Sequence, residues 1–164
     1  MRESEPERWM RIHSLPGSKR YPETESEFAT ILGRHNAVVE LVIGTDECVL
    51  VGYDFAGSDG LPAGHALAAW LPDAPPVMRL AAEDDDAEPV SLFAGRGAWY
   101  RGMLDGPLRA VADDELRLLL MNWDTGAMFA PYDGGADVLW SSEAERDRAR
   151  DVFSGWLSPN PSGL

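Results

Sequence analysis

The chain of 164 residues has one cysteine, Cys48, and one lysine, Lys19. A lone cysteine excludes an internal disulfide and any multi-cysteine metal site, and it fits a reducing, cytoplasmic setting. Long apolar runs are missing: stretches such as Leu118-Leu119-Leu120-Met121 fall far short of a membrane span. The opening MRESEPERWMR lacks the apolar stretch of a secretory signal. Positive charge is scarce, with 14 basic side chains against 28 acidic ones and a net charge of −14. Without a cationic cluster to displace counterions, nucleic acid is not an expected partner. An anionic membrane surface would repel the chain for the same reason. Neither G-x-S-x-G nor H-E-x-x-H occurs, and LPGSKR at 15–20 has one glycine before Lys19 and no preceding strand, so it is no phosphate loop. No metal and no cofactor is expected.

What is present reads as one α+β domain over 1–164, with a mainly antiparallel sheet, an N-terminal helix and a closing C-terminal helix. Residues 1–22 read as an irregular arm, closed by Pro16-Gly17. Thr24 and Glu27 make a capping box, and Phe28, Ile31, Leu32, His35, Val38, Val39 and Val42 then recur at helical spacing up to Gly44. Residues 47–55 are rich in β-formers. Between 56 and 76 seven glycines and prolines break any long element, although a short helix over 65–71 fits there. Strands are expected at 77–81, 90–94 and 98–104, with an acidic turn at Glu83–Asp86 and a divider at Gly95-Arg96-Gly97.

Three further strands, 116–123, 127–132 and 136–140, are separated by Asp124-Thr125-Gly126 and Asp133-Gly134-Gly135, which predicts a meander. Pro131 cannot donate to a ladder, so the expectation places it at an edge or bulge. Ser142 and Glu145 open a last helix to about Leu157, with Ala149, Val152, Phe153 and Trp156 as its apolar stripe. The end, 158–164, reads as a tail.

Asp124-Thr125-Gly126 also spells the catalytic segment of an aspartic protease, in which two carboxylates share a proton and a small subunit obtains the second by dimerising. Asn122 and Trp123 depart from the aliphatic approach of that family, and a hairpin turn with Gly126 at positive φ accounts for the same residues. His13, His35 and His65 share no ligand spacing, and His35 falls on the apolar face of the first helix. Cys48 opens an apolar strand as a small hydrophobe. Asp133 and Asp137 lack the alternation of a calcium loop. Of the six tryptophans most are expected in the core; Trp70, in the loose loop, is the candidate contact residue.

The segment Tyr132-Asp133-Gly134-Gly135-Ala136-Asp137-Val138, followed by a Ser-capped helix ending in Trp156-Leu157, resembles an uncharacterised bacterial family of small α+β domains of unknown function. The layout is also similar to acidic immunity proteins, which neutralise toxins by binding them; that resemblance implies a non-catalytic protein with a basic protein partner. Trp70, Asp59, Asp84, Asp85 and Asp86 are then the expected contact residues, combining carboxylates with one aromatic anchor. The alternative is an enzyme of unrecognised class, with Asp124 as the catalytic residue of a dimeric protease.

Overall fold

Two tight connections build the middle of the sheet. β5 (Arg117–Asn122), β6 (Met128–Tyr132) and β7 (Gly135–Leu139) follow one another as antiparallel neighbours, as the Asp/Gly turns require. Around them the computed structural model, which describes residues 1–44, 47–54, 67–68, 71, 76–80 and 90–158, adds β1 (Trp9–His13), β2 (Glu47–Asp54), β3 (Pro76–Leu80) and β4 (Val90–Ala98). The seven strands run in the order β1-β7-β6-β5-β2-β4-β3, each pair antiparallel.

Alternation along the strands decides which face is covered. Leu118, Leu120 and Asn122 of β5 are buried, while Arg117, Leu119 and Met121 between them are half-buried. Met10 and Ile12 of β1, Phe129 of β6 and Val138 of β7 join the same core as Val38, Val39 and Val42 of the first helix, α1 (Glu25–Ile43). Thr24 caps α1 by accepting from the Glu27 amide at 3.3 Å, and the Glu27 carboxylate reaches back to the Glu23 amide at 2.7 Å. Gly44, at φ 67°, ends it. Among the described residues no helix is long and apolar enough to cross a membrane.

The structure corrects several expectations. Within the supposed arm of residues 1–22, Trp9–His13 form edge strand β1, whose five residues pair with β7. Gly135 makes that possible, because a Cβ there would sit 2.1 Å from the Ile12 carbonyl oxygen. Gly95-Arg96-Gly97 do not divide two strands; β4 runs through them, held by unbroken pairing from Glu47↔Ala98 to Asp54↔Ser91. The strand expected at 98–104 is absent, and α2 (Asp105–Ala112) follows instead. Gly106 and Pro107 look like breakers, yet they occupy the first turn of α2, where a backbone donor has no intrahelical partner to lose.

Pro131 lies in an interior strand, not at an edge. Tyr132↔Gly135 closes the β6–β7 hairpin, so the Pro131 nitrogen turns away from β7 toward β5. There the pairing already stops at Phe129, so no ladder bond is lost. The closing helix, α3 (Glu143–Val152), is shorter than expected and passes into a single 3₁₀ turn at Ser154–Trp156. Ala149 and Phe153 face the core, whereas Val152 is turned off that stripe and is 66% exposed. Trp156 is half-buried and stacks on Phe153 with ring centroids 4.7 Å apart.

Candidate interaction surface

Asp59, Trp70, Asp84, Asp85 and Asp86 lie outside the described residues. Asp124 is described, and its surroundings begin with Asn122. That side chain is buried at the end of β5; its Oδ1 accepts from the amides of Asp124 at 3.0 Å and Thr125 at 3.1 Å, and its Nδ2 donates to the Ile43 carbonyl at 3.2 Å. The Asn122 backbone carbonyl accepts from Gly126, which has φ 69°, and Thr125 Oγ1 accepts from Ala127. Asp-Thr-Gly is thus a hairpin turn organised by the asparagine before it, and Asp124 stands exposed at its tip.

The turn also sets Trp123 outward. It shares the parity of Met121, so it leaves the core face and comes to lie 59% exposed. Arg96 reaches it from β4, its guanidinium carbon 4.6 Å from the ring centroid. Glu47, Val49 and Cys48 of β2 complete a small cleft of about 70 Å³ with Arg96, Trp123 and Asp124. Of the described tryptophans Trp9 and Trp140 are buried and Trp99 and Trp156 half-buried, and Trp123 departs from the expected core placement. Its position one residue beyond the inward-facing series 118, 120 and 122 is the signal that places it outside. An exposed indole between two carboxylates, Glu47 and Asp124, offers a π-face and anionic acceptors to an incoming cation.

Charge elsewhere favours the same kind of visitor. Among the described residues at least eight of the fourteen basic side chains (Arg8, Arg11, Lys19, Arg20, Arg101, Arg109, Arg117 and Arg146) are engaged with carboxylates of the chain itself. Positive charge is largely spent within the fold, and the surplus carboxylates set the outward field.

Polar chemistry inside the molecule is structural. Ser14 Oγ and His35 Nε2 are 2.9 Å apart, and each residue is 1% exposed. A serine beside a histidine is also how an acyl-transfer nucleophile is built, but these two are enclosed between β1 and α1. Burial pushes the His35 imidazole down to about 3, so the ring is neutral, its edge set against Phe129 at 5.5 Å. Cys48 is buried, its thiol pushed up by desolvation and its Sγ donating to the Gly97 carbonyl at 3.3 Å. Asp133 is buried and takes its ion pair from Arg20. Among the described residues no three His, Cys, Asp or Glu side chains could together hold a metal ion.

Comparison with known proteins gives one match. The profile of a family described as a domain of unknown function, DUF3885, covers residues 1–161, which bears out the resemblance read from residues 132–157 and extends it along the chain. No curated protein and no solved structure matches significantly.

Proposed function

Since the chain belongs to the DUF3885 family, a domain of unknown function, its activity has to be read from its own surface. We propose that it is a non-catalytic, acidic interaction protein of the bacterial cytoplasm that binds a basic protein partner, in the manner of a toxin-neutralising immunity protein. The observation that carries this reading is Trp123, exposed between Glu47 and Asp124 on a chain of net charge −14. An exposed tryptophan is the side chain most often found to dominate binding energy once a partner seals it from water. The carboxylates beside it suit an arginine or lysine of that partner, which would compete with Arg96 for the indole face. Asp84, Asp85, Asp86 and Asp59, with Trp70, are the further contact residues expected from the sequence, their carboxylates adding to the attraction at a distance.

Affinity purification of the tagged chain from its native host at low salt, then reconstitution with the purified protein recovered, tests this. The expected partner is basic, loses its own activity in the complex, and is released by high salt and by Trp123→Ala but not by Arg150→Met. An acidic partner, or one bound equally well by Trp123→Ala, would overturn the reading.

A further inference from the structure

Far from Trp123 in sequence, a cleft of about 270 Å³ opens where the end of β1 meets the turn after α3. Its walls include His13, Leu15, Arg34, Trp156 and Leu157, with the Pro16–Ser18 turn at the rim, and no described carboxylate lines it. Arg34 is the unusual member. Half-buried arginines are kept in this protein by carboxylates: Arg8 by Glu5, Arg11 by Asp137, Arg109 by Glu25, Arg117 by Asp114 and Arg146 by Glu143. Arg34 alone among the described half-buried arginines has none. Its guanidinium donates once, from Nη1 to the His13 carbonyl at 2.8 Å, and lies over Trp156 at 5.2 Å from the ring centroid. Among the described residues four of its five N–H donors have no acceptor.

Desolvating a cation costs free energy unless an opposite charge offsets it. In a chain with twice as many acids as bases, an uncompensated half-buried arginine points to a counter-ion from outside. On the same wall the Nε2 of His13 is buried with no hydrogen-bond partner among the described residues. Burial and the neighbouring charges of Arg11 and Arg34 depress the imidazole's basicity, so the ring is neutral and stacks no extra charge on the site. The walls decide what carries the anion. Leu15, Pro16, Trp156 and Leu157 are apolar, which suits an anion with an apolar body, and the single charge of one guanidinium is balanced by one carboxylate while a phosphate dianion would be left half-compensated.

We propose that this cleft is a binding site for a small organic carboxylate, its anionic end on Arg34 and its apolar body against Trp156 and Leu157. The carboxylate could arrive as a free small acid or as the C-terminus of a peptide, and the chemistry read by the site is the same.

Titrating the ¹⁵N-labelled full chain with isovalerate, N-acetyl-L-leucine, N-acetyl-L-leucinamide and inorganic phosphate tests the proposal. Both carboxylates are expected to give saturable shifts at the Arg34 side chain, Gly17, Ser18 and the Trp156 indole, while the amide gives none. Tighter binding of isovalerate identifies a free acid as the ligand, and tighter binding of N-acetyl-L-leucine a chain terminus. Arg34→Met is expected to weaken binding by about tenfold or more, Arg34→Lys by less, and Arg150→Met not at all. Shifts that fail to saturate, an amide that binds like its acid, or saturation by phosphate alone would overturn it. If Arg34→Met does not fold, the comparison of acid with amide on the unaltered chain still decides.

Discussion

Replacing Asn122 by Ala would strip the Ile43 carbonyl and the amides of Asp124 and Thr125 of their partners at once. Leaving such groups unsatisfied near the core is expected to cost about 2–3 kcal/mol, read as a shift in urea midpoint at constant slope. Asp124→Asn, two residues on and exposed, is expected to stay within about 0.5 kcal/mol. The contrast places the turn's structural role on the asparagine and leaves Asp124 free for contact. His35 gives the residue scale its pH dependence. Its folded basicity is depressed from the ordinary 6.5 to about 3, so below 6.5 the unfolded chain takes a proton that the folded one refuses. Stability is therefore full above that value and falls as pH drops toward about 3, by about 1.4 kcal/mol per pH unit from this group. His35→Gln is expected to remove that share of the slope, measured by urea unfolding across the window. An unchanged slope would mean the imidazole titrates normally in the fold.

At the scale of elements, Asn36 is the joint between helices. From α1 it donates to Asp105 of α2 at 2.8 Å and accepts from the Gly102 amide at 2.9 Å, just before α2 begins. Asn36→Ala is expected to loosen α2 first, so that amide exchange over 108–112 rises while the β5–β7 meander keeps its protection. Equal loss of protection in both would show that α2 does not open separately. This joint explains why α2 was illegible in the sequence. Leu108, Val111 and Ala112 are too few apolar positions to announce a helix, and what sets it in place is a side chain 69 residues earlier. The meander and the capped starts of α1 and α3 were legible because their determinants are local: Gly126, the Thr24–Glu27 box and the Ser142–Glu145 box. β1 was not, since a five-residue edge strand is defined by the partner strand it meets and by the missing Cβ at Gly135. Of the candidate surface, Asp124 was legible as a turn residue. The exposure of Trp123 depended on strand parity, and the missing carboxylate at Arg34 on knowing which carboxylate holds each of the other half-buried arginines.

For the whole molecule, the net charge of −14 and the internal neutralisation of most arginines act together. The field they create would draw a basic partner inward, and the indole of Trp123 would hold it once water is excluded. These two contributions separate in kinetics, because long-range charge acts on the association rate and a sealed aromatic contact on the dissociation rate. The most direct test is therefore the binding kinetics of the purified basic partner across a range of ionic strength, for the unaltered chain, Trp123→Ala, and the triple change of Asp84, Asp85 and Asp86 to Asn. The expected result is an on-rate that falls steeply with salt, a slower and flatter on-rate in the triple variant, and an off-rate raised about tenfold or more in Trp123→Ala. An on-rate indifferent to salt and to the triple change, with an off-rate untouched by the loss of Trp123, would contradict the account.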